Sequence, residues 1–118
     1  MSWFSEDKIH HSWLIIKDLS SYKAAYQKSY EEPILIFKHS TRCSISIMAL
    51  NRIESSKECD RIINNCYYLD LLKHRDLSNL ISDDFQIIHA SPQILVIKNG
   101  KCIYNTSHSN INWRYIKL

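Results

Sequence analysis

Ile34-Leu35-Ile36-Phe37-Lys38-His39-Ser40-Thr41-Arg42-Cys43-Ser44-Ile45-Ser46 is the stretch on which the fold of this chain turns. Its first four residues are continuously apolar, as in a central strand covered on both faces. Pro33 ahead of them can open a strand without removing a needed ladder bond. Beyond Cys43 the apolar period changes, and Ile45, Met48, Ala49 and Ile53 recur at helical spacing. A strand therefore hands over to a helix, with Cys43 at the junction. A helix start presents unpaired N–H groups and the positive end of the macrodipole, and both favour a thiolate over a thiol. Three residues on, Ser46 completes a C-x-x-S arrangement. A serine there can donate a hydrogen bond to a thiolate but cannot close a disulfide, so chemistry at this site is expected to be monothiol.

Working outward, Leu14-Ile15-Ile16 reads as a short first strand. Ser20 or Ser21 is placed to cap a helix with Tyr22, Ala25, Tyr26 and Tyr30 on one face. Cys66 to Leu69 reads as a strand, and Leu77, Leu80 and Ile81 as the face of another helix. Ile94 to Ile97 and Cys102 to Tyr104 flank Asn99-Gly100, a strong two-residue hairpin signal in a chain with one glycine. Ile111 to Ile116 is a candidate terminal helix. The expected fold class is α/β, a central mixed sheet flanked by helices, written βαβαββα. Residues 1–11 read as an N-terminal extension and 12–118 as one domain. In such a sheet the reactive group belongs at the carboxyl end of a central strand, which is where Cys43 falls.

Composition narrows the function. A chain of 118 residues, 45% hydrophobic, can bury a core without disulfides or a metal. A net charge of +3 with no basic block gives no support for nucleic-acid binding. No apolar run approaches the roughly 20 residues of a spanning helix, so no membrane role is expected and the cytoplasm is the expected compartment. Cys43, Cys59, Cys66 and Cys102 form no C-x-x-C or C-x-x-H pair, which argues against zinc and against a disulfide framework. Cys59, Cys66 and Cys102 read as packing residues. His10-His11 is not a metal pair, because adjacent side chains do not converge. Trp3, Trp13 and Trp113 read as packing residues rather than as a base-stacking platform, and the cysteine and histidine spacings lead to no expected metal or bound cofactor.

The segment Phe37 to Ser46, with Ser91-Pro92-Gln93 and Ser107-His108, resembles the YtxJ family of bacillithiol-system thioredoxin-like proteins, often described as monothiol bacilliredoxins. The resemblance covers nearly the whole chain after its first ten or so residues. It implies a thioredoxin-like fold and removal of bacillithiol, a low-molecular-weight thiol, from protein mixed disulfides. It places Cys43 and Ser46 as catalytic residues and sets Thr41, Arg42, Ser91 and Pro92 against the substrate. His39 and His108 stand as possible supports, although each is more often a surface or structural histidine. Arg42 and His39 are candidates for the local positive field. A thioredoxin-like chain keeps a cis peptide bond at the position of Pro92, facing the thiol, while a trans proline opening an edge strand would read the same. One departure is Ser44, where the family pattern has proline, and proline at the first helical position preorganises the turn.

Thiol exchange then gives the expected mechanism. A cysteine thiolate attacks the small-thiol sulfur of a mixed disulfide, releases the repaired protein thiol, and is regenerated by a second small thiol. The resemblance implies bacillithiol as the expected co-substrate and S-bacillithiolated proteins as the expected partners. Two other classes stand beside this one. A monothiol-glutaredoxin-like iron–sulfur carrier would use one cysteine per subunit, but the C-G-F-S form is missing. A thioredoxin-like binding module would leave Cys43 inert.

Overall fold

The computed structural model describes residues 13–55 and 65–116, so the 1–11 extension, His10-His11 and Cys59 lie outside the described residues. The elements are β1 (Leu14–Ile15), α1 (Leu19–Lys28), β2 (Ile34–His39), α2 (Ser44–Ser55), β3 (Cys66–Asp70), α3 (Arg75–Phe85), β4 (Gln93–Lys98) and β5 (Lys101–Ser107), followed by two 3-10 turns, His108–Asn110 and Trp113–Tyr115. The order β1-α1-β2-α2-β3-α3-β4-β5 holds one strand–helix step more than the short form βαβαββα, because α1 and α3 each complete a step of their own. Sheet order is β1-β3-β2-β4-β5. β1, β3 and β2 run parallel, while β4 pairs antiparallel with both β2 and β5. Among the described residues no helix is long and apolar enough to cross a membrane.

Strand alternation divides the core in two. Leu35 and Phe37 of β2 point to the face covered by α2 and the C-terminal turns, together with Ala49, Leu50, Ile53, Tyr68, Ile94, Val96 and Trp113. Ile34 and Ile36 point to the opposite face, with Tyr22, Ala25, Leu77 and Ile81 of α1 and α3. That double cover explains the unbroken apolar run in β2.

Several local expectations shift. The cap of α1 is Asp18: its carboxylate accepts the Ser21 N–H at 2.7 Å, and Ser21 Oγ accepts the Asp18 N–H at 3.1 Å. Ser21 is thus the reciprocal partner of the capping box and not the cap itself. These bonds hold the Asp18 carboxyl below its ordinary value. Tyr30 falls beyond the end of α1 and is exposed. The buried stripe of α2 is Ser46, Ala49, Leu50 and Ile53, whereas Ile45 and Met48 face outward. The terminal segment makes two 3-10 turns in place of an α-helix. Asn112 caps the second by accepting the Arg114 N–H, and Ile111, Trp113 and Ile116 are buried at a spacing that an α-helix would turn apart.

The Asn99-Gly100 turn forms as expected, with positive φ at both residues (52° and 73°). It docks on the end of α1. Asn99 N–H donates to the Ser29 carbonyl at 2.8 Å, and Gly100 N–H donates to Ser29 Oγ at 3.1 Å. A β-carbon at Gly100 would lie 2.3 Å from the Tyr30 hydroxyl oxygen, so glycine serves both the turn and the approach.

Candidate active site

β2 carries the chain into the site. Past Phe37 it continues through Lys38 and His39, both buried although both are ionisable. Ser40 to Cys43 then form a turn in which Cys43 N–H donates to the Ser40 carbonyl at 3.2 Å. The Cys43 carbonyl accepts the Ile47 N–H at 2.9 Å. That bond is the first of α2 and makes Cys43 its N-terminal cap residue. Cys43 is half-exposed. A side chain at the cap position lies at the positive end of the helix, which favours a sulfur anion there.

Ser46 lies one turn further on and is fully buried. Its Oγ accepts the Ser40 N–H at 3.0 Å and lies 2.7 Å from His39 Nδ1. The hydroxyl expected to face Cys43 is therefore engaged with the end of β2, and this explains why Ser46 occupies the core side of α2. His39 itself is 3% exposed. Burial pushes its imidazole down to about 4, against the opposing pull of the Asp70 carboxylate, so the ring is neutral at neutral pH. This corrects the expectation that His39 contributes to a positive field. Arg42, exposed beside Cys43, is the cation of the turn, and Thr41 is half-exposed.

The Ser91–Pro92 peptide bond is cis. Pairing of Lys38 with Gln93 places Pro92 beside the His39 end of β2, on the strand edge from which the Cys43 turn departs. The Pro92 carbonyl accepts the His108 N–H at 3.2 Å, so His108 touches this corner through its backbone while its residue as a whole is exposed. Ser91 Oγ and Gln93 Oε1 are buried without a hydrogen-bond partner among the described residues. Arg52 of α2 ties the corner down, donating from Nε to the Ile111 carbonyl at 2.8 Å and from an Nη to the His108 carbonyl at 3.1 Å.

The structure separates the other described cysteines from this site. Cys66 is buried in β3. Cys102 is half-buried in β5; its Sγ lies 3.3 Å from the Tyr104 carbonyl, and burial pushes its thiol up. No group of three or more His, Cys, Asp or Glu side chains among the described residues is arranged to hold a metal.

Two residues with no sequence signal complete the surroundings. Asp70 ends β3 opposite His39 and accepts the N–H groups of Leu72 and Lys73 at 3.1 and 3.3 Å. Lys38 leaves β2 on the other face, where its Nζ donates to the Ser78 carbonyl at 2.9 Å and to Ser82 Oγ at 2.8 Å. Burial lowers its pKa from 10.5 to about 8. A base depressed in the folded state opposes folding wherever the unfolded chain still binds the proton. Between about pH 8 and 10.5 the unfolded chain binds more protons, so this contribution makes stability rise with pH across that window. Lys38→Met is accordingly expected to be more stable than the parent at pH 7 by about 1–3 kcal/mol. The gain should shrink toward pH 10.5, as checked by urea unfolding of both proteins at matched pH.

A family model described as the monothiol bacilliredoxin BrxC matches residues 15–116. Among solved structures, a thioredoxin-fold protein provisionally named an oxidoreductase is similar with a TM-score of 0.74 and 26% identity, covering 86% of this chain and 87% of that one. Fasciola hepatica thioredoxin is similar with a TM-score of 0.66 and 13% identity, covering 83% of this chain and 88% of its own. Oxidised mitochondrial thioredoxin 3 from Saccharomyces cerevisiae gives 0.65 and 15%, with 85% and 87% covered. The two thioredoxins show the fold: the mixed sheet with helices on both faces is a thioredoxin fold.

Proposed function

The chain belongs to the monothiol bacilliredoxin family, a thiol redox assignment, and from that premise we propose that Cys43 removes bacillithiol from protein mixed disulfides. The observation that carries the reading is the position of Cys43: a half-exposed cap of α2 at the carboxyl end of a central strand, with a serine three residues on. In the first step the Cys43 thiolate attacks the bacillithiol sulfur. A Cys43–bacillithiol disulfide forms as the protein–bacillithiol disulfide breaks, and the protein leaves as its thiolate. In the second step a small-molecule thiolate attacks the bacillithiol sulfur of that adduct, regenerating the Cys43 thiolate and leaving a small-molecule disulfide. Two electrons stay within the sulfur pairs throughout, so no outside oxidant is needed.

Arg42 and Thr41, on the turn beside the thiol, are placed to meet the carboxylates and hydroxyls of a small polar thiol. Ser91, ahead of Pro92 at the neighbouring strand end, is placed to offer backbone groups to the extended chain of a client. The cytoplasm, where free thiols persist, suits this chemistry.

Incubating the reduced protein with a bacillithiolated client and reading both by intact mass tests the proposal. The client is expected to lose one bacillithiol and the protein to gain one, removable by added free thiol. Parallel clients carrying glutathione or coenzyme A rank the adduct, with bacillithiol expected first. A wild-type protein that never gains the mass would overturn the reading and favour an inert binding module.

A further inference from the structure

β4 and β5 stay paired up to the first residue of β4, where Gln93 lies opposite Ser107. One residue further, the His108 N–H donates to the Pro92 carbonyl at 3.2 Å, so the ladder runs on into the residue that carries the cis bond. His108 then turns the chain away with φ at 56°, a left-handed conformation uncommon for a residue with a side chain. Backbone of this kind persists where its surroundings hold it. The 3-10 turn that His108 opens closes through the Ile111 N–H, which donates to the His108 carbonyl at 3.2 Å.

Arg52 holds both ends of that turn. Its Nε donates to the Ile111 carbonyl at 2.8 Å and an Nη donates to the His108 carbonyl at 3.1 Å, so one planar fork spans the turn. The arginine is half-buried in the last turn of α2, about 13 Å along the axis from the Cys43 cap at 1.5 Å per residue. An unbroken path therefore joins the thiol helix to the cis-proline. The guanidinium donates to the His108 carbonyl, and the N–H of the same residue donates to the Pro92 carbonyl.

We propose that Arg52 is a positioning residue for the client, fixing the Ser91–Pro92 edge relative to the helix that bears Cys43, through the backbone of His108. The proposal rests on the reading of that edge as the place where a client's extended chain is met. A chain bound there must bring its sulfur to a thiol carried by a different element. The placing of edge against helix then decides whether both contacts are made at once. A small disulfide uses the thiol alone and is indifferent to that placing. Arginine suits the position because its fork serves two carbonyls together, whereas a lysine ammonium is a point donor on a flexible stem.

Two probes test this on the full-length protein, each a mixed disulfide with thionitrobenzoate: a capped Ala-Ala-Ala-Cys-Ala-Ala-Ala peptide and N-acetylcysteine. The Cys43 thiolate attacks the cysteine sulfur of either probe, one disulfide forms as the other breaks, and coloured thionitrobenzoate leaves as its thiolate. The parent is expected to react faster with the peptide. In Arg52→Met the peptide rate should fall about threefold to tenfold, the size of one hydrogen bond, while the N-acetylcysteine rate stays within about twofold of the parent's. Arg52→Lys, which keeps the charge and the stem, should show the same pattern at smaller size, and it carries the comparison if Arg52→Met does not fold. Amide exchange read by NMR follows the path itself: the His108 amide should exchange about tenfold faster in Arg52→Met, with the Leu95 amide of β4 unchanged. Equal parent rates with the two probes, an unchanged peptide rate in the variants, a loss shared equally by both probes, or an unmoved His108 amide would each overturn the proposal. None of these readouts uses bacillithiol. A protein that takes up the bacillithiol adduct but fails them refutes this inference alone, and one that meets them without taking up the adduct refutes only the transfer reading.

Discussion

Cys43→Ala is expected to reduce transfer of the small thiol to background, a loss on the order of 10^3-fold or more. The size follows from the lack of a substitute among the described residues. Cys66 is fully buried in β3, and Cys102 is half-buried in β5 with its thiol pushed up by burial. Neither lies at a helix start. Ser46 is nearest in the motif, but it is fully buried, bound by Ser40 and His39, and a hydroxyl cannot form the mixed disulfide that the transfer requires. Cys59→Ala is the matching control and should retain activity. Intact mass of both variants after exposure to a bacillithiolated client reads the result, and retained transfer in Cys43→Ala would remove the assignment altogether.

Trp113→Ala is expected to have the largest effect on stability, about 3–5 kcal/mol. The indole is 2% exposed within the core beneath α2, and its Nε1–H donates to the Ile53 carbonyl at 2.9 Å. Truncation therefore leaves a cavity and removes a buried bond at the far end of the helix that begins with Cys43. Trp113→Phe keeps most of the volume and loses the bond, so it should fall between the two. Urea midpoints measure both, and a midpoint in Trp113→Ala equal to the parent's would show that the C-terminal turns do not support the core.

Apolar order made much of this architecture visible beforehand. Ile34 to Phe37 reads as doubly covered because it is, and Asn99-Gly100 reads as a hairpin because few other residues accept positive φ at both central positions. The junction at Cys43 follows from a change of period. Partners distant in sequence were invisible. Nothing local shows that Lys38 extends the buried strand by reaching Ser78 and Ser82, some 40 residues away. Hydrophobicity likewise assigns Ile45 and Met48 to the inner face of α2, whereas the bonds from Ser46 to His39 and Ser40 turn the helix so that a serine faces inward. At the C-terminus the apolar residues are correctly identified as structural, but apolar content alone does not separate a helix from an irregular segment. Only the Trp113 and Arg52 contacts decide.

Those same contacts bear on how an incoming disulfide is met. α2 is held near its start by Ser46 against β2 and toward its end by Arg52 and by Trp113 bonding Ile53. Exchange requires the attacking sulfur to approach along the axis of the bond it breaks. A helix clamped at both ends fixes that line of fire before any encounter, so the client must do the aligning. Selectivity among mixed disulfides would then be exercised through the angle at which the target bond can be presented, with exposed, hinged adducts cleared sooner than recessed ones.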